Sequence, residues 1–265
     1  PSVSLNFGRW LYDEVFALDP TKYRNLQLKV EHDKALGGCL PTAGNLRVFA
    51  DLFDEKVVTP SGFLGAKEIF AFTPTQGATE YITLPTDDII RMLMPINTND
   101  AEEPDIQFET VKIDEDDGKR IIYDGYTMDL IRLAVNRQDR IQEYISGKIT
   151  SGTLTLYLTA CKDIQNVLIE QSHTDTYFSE AWSGGRVRVF TSGADVDFGG
   201  IHSGRCPHGS VPIYFGKQND PDDWWNVARI GKARVQLTPR ATADTVPGCD
   251  TAKTTELVGQ FAIKY

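Results

Sequence analysis

The sequence predicts an all-β fold with two tandem antiparallel β sandwiches and a helical segment near the midpoint. Apolar and polar residues alternate with a period of two in both halves of the 265-residue chain, as in strands with one buried face. Helical spacing is convincing in one stretch only. Strands before and after that stretch therefore predict two sandwiches of similar size.

The alternation predicts five clear strands and several shorter ones. Each clear strand is marked by the apolar residues of one face: Leu26, Leu28 and Val30; Leu46, Val48 and Ala50; Leu154, Leu156 and Leu158; Val187 and Val189; Val235 and Leu237. Shorter strands are predicted at residues 67–73, 80–84, 89–95, 106–114, 120–123, 167–171, 211–215 and 257–264. Strands distributed over the whole chain are typical of a sandwich or barrel protein.

Turn and loop residues separate these strands. The run Asp116–Gly118 lies between two apolar segments, and its glycine tolerates the positive φ of a tight turn, so it predicts a β hairpin. Exposed loops are predicted where glycine, polar or acidic residues concentrate: 97–105, 114–117, 171–185, 192–210 and 219–223.

A helix is predicted over residues 127–147, with Thr127 as its cap and Gly147 as its stop. Its apolar residues are spaced as on one helical face: Leu130, Leu133, Ala134, Ile141, Tyr144 and Ile145. The predicted organisation is an N-terminal arm, a first sandwich, the connecting helical segment and a second sandwich, at residues 1–19, 20–126, 127–147 and 148–265.

Charge and composition exclude several classes of protein. Twenty-seven Lys and Arg against 37 Asp and Glu give a net charge of −10, which repels phosphate backbones and argues against sequence-specific nucleic-acid binding. No window of 18 uncharged apolar residues and no leader-like start are present, so we expect a soluble, non-exported chain. The cysteines, with no C-x-x-C spacing, predict reduced thiols rather than a disulfide framework: Cys39, Cys161, Cys206 and Cys249.

The densest group of metal-ligand residue types is His202, Cys206 and His208. A tetrahedral zinc site would need a fourth ligand, for which Cys249 or His173 would have to fold back. The spacing matches no standard zinc module, and the acidic runs do not fit the alternating calcium-loop pattern. The sequence therefore predicts no metal site and an ordinary loop at this position.

No catalytic or cofactor-binding residue is predicted. The chain has no G-x-S-x-G elbow and no glycine-rich phosphate loop, and neighbouring residues such as His202 and Ser203 point to opposite faces of an extended chain. Residues 222–225, Asp-Asp-Trp-Trp, combine carboxylates and indoles as a sugar site does, but core or subunit packing is the favoured interpretation. Trp10 and Trp182 are interpreted as packing anchors.

Two stretches resemble a known family. Residues 80–87 read EYITLPTD and lead to a strand carrying Arg91. Later, residues 209–216 read GSVPIYFG, followed by Trp225 and by GKARVQLT at 231–238, with a last strand QFAIKY. This arrangement resembles the double-jelly-roll major capsid proteins of tailless prokaryotic DNA viruses.

The resemblance implies a non-enzymatic virion protein with a double jelly roll. Members of the family form homotrimers that act as pseudo-hexagonal tiles of an icosahedral capsid, assembled in the host cytoplasm. The implied partners are further copies of the chain, neighbouring capsomers, minor capsid and vertex proteins, and an internal membrane.

Two other functions fit the same architecture. A carbohydrate-binding or glycan-cleaving double jelly roll would carry a site in its loops, and a trimeric spike or fibre domain would form no closed tile. In the capsid interpretation, residues 1–19 and the loops near Asp100 and Asp220 contact other subunits. The alternative is that the arm packs on its own sandwich. Its apolar residues are Leu5, Phe7, Trp10, Leu11, Val15 and Phe16.

Overall fold

The computed structural model is all-β, with antiparallel sheets and little helix. It describes residues 4–31, 46–54, 57–98, 103–134, 137, 141–149, 152–157, 170–171, 177–178, 186–191, 196–204, 206–207, 209–243 and 248–265. No helix among these residues has the length and hydropathy needed to cross a membrane.

The described residues form fourteen strands and two short α-helices. The strands are β1 (Gly62–Phe72), β2 (Glu80–Thr83), β3 (Ile89–Asn97), β4 (Thr110–Glu115), β5 (Arg120–Tyr126), β6 (Ile141–Ile149), β7 (Gly152–Tyr157), β8 (Glu170–Gln171), β9 (Tyr177–Phe178), β10 (Arg186–Thr191), β11 (Val196–Gly204), β12 (Ile213–Tyr214), β13 (Ala233–Thr238) and β14 (Thr255–Lys264). The helices are α1 (Pro104–Gln107) and α2 (Thr127–Leu133), and 3-10 turns lie at Pro20–Lys22, Asp116–Gly118, Pro221–Asp223 and Val227–Arg229.

The chain divides into two compact units. The smaller unit comprises Pro1–Gly65 and Ala262–Tyr265, and the larger unit is Ala66–Phe261. The unit boundaries therefore lie within β1 and within β14.

Two four-stranded sheets have the orders β1-β14-β3-β12 and β2-β13-β4-β5. Counted in chain order, the first of these eight strands pairs with the last, the second with the seventh, the third with the sixth and the fourth with the fifth. Two three-stranded sheets, β6-β11-β8 and β7-β10-β9, come from the segment between α2 and β12. That segment is an insertion between the fifth and sixth strands of the larger set.

The core of the larger unit is built from the buried faces of the two four-stranded sheets. In β13, buried Ala233, Val235 and Leu237 alternate with the less buried Arg234 and Gln236. The other fully buried large apolar side chains of this unit include Ile90, Leu93, Ile106, Phe108, Val111, Ile113, Ile131, Val211, Val227, Leu257 and Phe261. Burying each such side chain contributes about 1.5–3 kcal/mol, so this core is the main favourable term for the unit.

Trp225 links strands of both four-stranded sheets. Its backbone pairs with Ile90 of β3, with N–H to O distances of 3.0 and 3.1 Å. Its indole N–H donates to Glu115 Oε1 of β4 at 2.8 Å, and its ring packs on Phe215 with centroids 4.7 Å apart. A buried carboxylate needs such donors, and Arg120 supplies a second one at 2.8 Å.

A buried ion pair joins β13 to β4. Arg234 lies opposite Asp114 in the sheet register, and its Nη2 donates to both carboxylate oxygens at 3.1 Å. The Gln236 amide donates to the same carboxylate at 2.5 Å. The Asp114 side chain is 0% exposed, so these donors replace all of its contact with water.

The predicted hairpin is confirmed. The turn Asp116–Gly118 joins β4 to β5, and φ is positive at Asp116, Asp117 and Gly118, with values of 47°, 57° and 89°. Only the exposure predicted for residues 114–117 is partly wrong, because Asp114 and Glu115 are buried against Arg234 and Trp225. Similarly, Glu103 and Asp105 within the predicted loop 97–105 are buried.

Most predicted strands are present, and two are not. Strands are confirmed at 67–72, 80–83, 89–95, 120–123, 154–157, 186–191, 233–238 and 257–264. Residues 26–30 and 46–50 alternate like strands, but their side chains are exposed and they form no strand. The prediction at 106–114 is wrong at its start, where α1 forms, and the predicted loops 171–185 and 192–210 contain β9 and β11.

The predicted helix over residues 127–147 is wrong beyond its first two turns. Helix α2 ends at Leu133, Tyr126 rather than Thr127 is its N-cap, and β6 follows. Isoleucines spaced by four, at 141, 145 and 149, fit both a helical face and one face of a strand. In the structure, residues 141–149 form a strand, because all nine of them pair with β11. Isoleucine, being β-branched, also favours the strand conformation.

Strands from both predicted sandwiches occur together in each four-stranded sheet. Strand β14 lies between β1 and β3, and β13 lies between β2 and β4. Pairing between sequence-distant strands, which period-two alternation does not encode, places residues 62–126 and 213–264 in the same pair of sheets. The segment at 127–147 therefore begins an insertion.

Replacing Arg234 by Ala will lower the free energy of unfolding by about 3–5 kcal/mol, because it leaves the Asp114 carboxylate buried without its cation. The control is Arg132→Ala, which removes an exposed pair with Asp129 at 3.3 Å and will change stability by about 0.5 kcal/mol or less. Urea denaturation measures both. Equal effects of the two substitutions would contradict the structural role of the buried pair.

Candidate functional site

The smaller unit exposes an unusual amount of apolar side chain. Sixteen of the 22 exposed large hydrophobic residues among the described residues belong to it. We call its described residues 4–31, 46–54 and 57 the apolar arm. Burial of one such side chain contributes about 1.5–3 kcal/mol, so covering this surface with a partner would be strongly favourable.

We call residues 4–31 the first half of the apolar arm and residues 46–54 and 57 its second half. Exposure is greatest in the second half. Phe49 is 88% exposed, Val57 96%, Leu52 72% and Leu46 71%. These values approach those of an unfolded chain, although Leu46, Val48 and Ala50 keep the alternation of a strand. This part of the arm has the composition of a buried strand and the exposure of a surface segment.

The first half of the apolar arm is attached within its own unit. Phe16 is buried and forms a parallel bridge with Gly62, where the Ala17 N–H donates to the Gly62 carbonyl at 3.0 Å. The Leu64 N–H donates to the Phe7 carbonyl at 2.7 Å. Two short stretches of the arm therefore lie beside the start of β1.

A buried carboxylate fixes the turn between these two stretches. Asp13 accepts hydrogen bonds from Arg9 Nε at 2.6 Å and Nη2 at 2.8 Å, and from the backbone N–H groups of Arg9 and Val15 at 3.0 Å each. Burial alone would raise the pKa of Asp13, but these hydrogen bonds and the Arg9 charge lower it to about 2. The Arg9 guanidinium also lies 4.2 Å from the Trp10 ring centroid.

Tyr265 attaches the arm to the end of β14. Its hydroxyl donates to the Ala17 carbonyl at 2.6 Å and accepts the Asp19 N–H, while its ring lies 5.9 Å from Phe63 and 6.2 Å from Tyr23. Burial raises the pKa of this phenol. The attachment is aromatic and local, and it leaves the outer side chains of the arm exposed.

The larger unit contains an open depression of about 460 Å³. Arg120, Asp223, Asn226 and Arg229 provide its polar lining, beside Trp225. The Asp223 carboxylate accepts the Lys217 N–H at 2.8 Å. Among the described lining residues, no nucleophile lies beside a general base, and the charged side chains are suited to recognising a charged ligand.

The residues weighed for a metal site are only partly described. His202 lies in β11, opposite Glu143 in the register, while Cys206 and Cys249 are buried. His208 and His173 lie outside the described residues, as do Cys39 and Cys161. Within the described part of the chain, no three His, Cys, Asp or Glu residues form a group that could hold a metal ion.

Three of the residues weighed for a sugar site, Asp223, Trp224 and Trp225, line the depression of the larger unit. Trp224 and Trp225 are buried, with Arg91 5.5 Å from the Trp224 ring centroid and Phe215 packed on Trp225. Both tryptophans are 7% exposed or less, which favours the core-packing interpretation although they border the depression. Asp220, Asp222 and Asp223 are exposed, as predicted, whereas Trp182 and Asp100 lie outside the described residues.

The sequence predicts an arm at residues 1–19 and does not identify the exposed apolar positions beyond it. The exposed apolar positions extend to Val57, and the signal was present in the alternation at 26–30 and 46–50, which was interpreted as two core strands. It also missed the Arg9–Asp13 pair, because a spacing of four outside a helix carries no local signal.

Comparison of the chain with protein-family models, curated proteins and solved structures finds no match. Evidence for a function therefore comes from the geometry of the chain itself. The two main features of the described residues are the antiparallel sheets and an apolar arm whose outer side chains are exposed.

The Asp13 carboxylate predicts a specific pH dependence. Its folded pKa of about 2 lies below the unfolded value of about 3.9, so it contributes stability above pH 4 that is lost as the pH falls from about 4 to about 2. Comparing urea denaturation of the native chain and Asp13→Asn will give a difference of about 2 kcal/mol at pH 6 that vanishes near pH 2. Asp87→Asn, at an exposed position, is the control, with a difference near zero throughout. A difference for Asp13 that does not change with pH would contradict the assignment.

Proposed function

We propose that the protein is a structural virion protein, a major capsid protein that assembles as homotrimers into an icosahedral shell. The observation that carries the proposal is the exposed apolar arm, which holds most of the exposed large hydrophobic residues that the structure describes. A shell subunit exists to bury surface against other copies of itself, and such an arm supplies the surface. The absence of a reactive pair in the described depression is compatible with this role.

The strand order adds support from the fold. Eight strands in two sheets, paired first to last and inward to the fourth and fifth, have the connectivity of a jelly roll. Jelly rolls occur in viral capsid proteins, in lectin domains and in cupins, so the fold alone does not choose among these functions. Trp224 and Trp225 border the depression but are 7% exposed or less, which leaves little ring surface for a sugar to stack on and disfavours the lectin alternative.

We propose a double jelly roll of nested rather than tandem form. In the insertion, β6 pairs with β11 and β7 with β10, and the orders β6-β11-β8 and β7-β10-β9 match those of β1-β14-β3 and β2-β13-β4. The inserted strands would then form a smaller roll between the fifth and sixth strands of the larger one. This departs from the tandem arrangement of the family that the sequence resembles.

Shell contacts would involve neighbouring capsomers, with minor capsid and vertex proteins and an internal membrane as further partners in the virion. The net charge of −10 favours contacts with protein or lipid over direct binding of the genome. In this proposal, exposed arm residues provide the apolar part of these contacts.

The purified chain will form a species of about 88 kDa, three times the chain mass of 29.5 kDa, and then larger closed particles as concentration rises. Light scattering measures the mass, and electron microscopy detects the particles. A trimer that never closes into shells would favour the spike or fibre alternative. A monomer at every concentration, with no particles, would contradict the proposal.

Replacing Leu5 and Leu11 together by Ser will abolish particle formation while leaving the stability of the single chain nearly unchanged, because both side chains are exposed. Phe16→Ser is the contrasting variant: it opens a buried position and will lower the free energy of unfolding by about 2 kcal/mol or more. Particle yield and urea denaturation measure the two effects. Normal assembly of the double variant would exclude these arm positions from the subunit contacts.

A further inference from the structure

Strand β1 lies at the edge of its sheet, with β14 on one side. On the other side, Gly62 and Leu64 are covered by the arm of the same chain, through hydrogen bonds with Ala17 and Phe7. From Ala66 to Phe72, no described residue pairs with that outer side. Among the described residues, seven of the eleven residues of β1 therefore have no strand on their outer side, which we call the open edge.

Beyond Lys67 and Glu68, this open edge lacks the usual protection of natural sheet edges. Such edges are normally blocked by short strands, prolines, bulges or outward charges, because unpaired N–H and C=O groups recruit other strands. Here Ile69, Phe70, Ala71 and Phe72 follow one another, and the Phe70 and Phe72 rings stack with centroids 6.1 Å apart. The nearby Lys67 ammonium lies 4.6 Å from the Phe261 ring centroid, over the strand's own sheet.

The second half of the apolar arm has the complementary property. Residues 46–51 read LRVFAD, alternate like a strand and form none among the described residues. All six residues are exposed, and Phe49 is 88% exposed. Among the described residues, the chain therefore has a segment with strand alternation that belongs to no sheet, residues 46–51, and a sheet edge that has no paired strand, residues 66–72 of β1.

We propose that residues 46–51 of one copy add as an antiparallel strand to residues 67–72 of β1 in a second copy. The proposal rests on the proposed function only in requiring that copies associate. Pairing by backbone hydrogen bonds would satisfy the open edge and bury the most exposed apolar residues of the arm together.

Length and charge select the register. Placing Asp51 opposite Lys67 uses all six residues of both segments and pairs opposite charges. The same register sets Phe49 opposite Ile69, Val48 opposite Phe70 and Leu46 opposite Phe72. Every large apolar side chain of the segment then faces an apolar side chain of the edge.

Photo-crosslinking identifies the contact directly. Chains carrying benzoylphenylalanine in place of Phe49 are mixed with an equal amount of uniformly ¹⁵N-labelled native chain, irradiated, and digested for mass spectrometry. The proposal expects crosslinks from the unlabelled arm to labelled peptides that contain residues 67–72. Crosslinks confined to one chain, or to other labelled peptides, would overturn it.

A backbone substitution tests the same contact independently. Because the Leu64 N–H points outward to Phe7, strand alternation directs the Glu68 N–H outward as well. Glu68→Pro removes that donor without removing one to β14, and Glu68→Ala is its matched control, since it removes the same side chain and keeps the N–H. We expect Glu68→Pro to weaken association at least tenfold relative to Glu68→Ala, measured by light scattering across a dilution series.

The outcomes separate this inference from the proposed function. If both variants associate equally while native chains form trimers and shells, the strand addition is wrong and the capsid proposal stands. If native chains do not associate at all, the capsid proposal fails and the strand addition fails with it.

Discussion

Antiparallel pairing between strands far apart in the chain is the constraint on which the described structure depends. Strand β14 lies between β1 and β3, and β13 lies between β2 and β4, so each four-stranded sheet needs both ends of the sequence. The Arg234–Asp114 pair joins residues 120 positions apart within one of these sheets. Closing such long loops costs conformational entropy before the contacts form, which places this fold among the slower-folding topologies. Burial of the apolar core and the hydrogen bonds to Asp114 and Glu115 offset that entropy cost.

The same constraint explains which surfaces the fold leaves open. Eight strands form the two main sheets. The described strands of the long insertion, which lies between β5 and β12, pair only with one another. Residues 4–31 and 46–57 are not needed to complete either sheet, although they carry the apolar composition of core strands. An apolar segment that its own fold does not use is explained most simply by a partner that does use it. In the capsid proposal that partner is another copy, and the open edge of β1 is one place where it fits.

The sequence predicted the fold class and most strands because local alternation reports which face of a strand is buried. It could not predict the strand order, since pairing between residues 110–115 and 233–238 has no local signature. The helix predicted over 127–147 failed because isoleucines four residues apart fit both periods, and pairing with β11 decided between them. The strands predicted at 26–30 and 46–50 are wrong for a related reason. Alternation indicates that a segment is suited to a sheet, but it does not indicate whether that sheet belongs to the same chain. The Arg9–Asp13 pair depends on a turn in the arm, which no periodicity encodes.

The central claim is that the apolar arm is covered by other copies of the chain. Hydroxyl-radical footprinting of the side chains at 46–52, read by mass spectrometry on dissociated and on assembled protein, measures that coverage directly. The account predicts strong oxidation of Phe49 and Leu52 in the dissociated chain, where they are 88% and 72% exposed, and strong protection after assembly. Buried Phe261 serves as the internal reference, with low oxidation in both samples. Equal oxidation of the arm in dissociated and assembled protein would contradict the account.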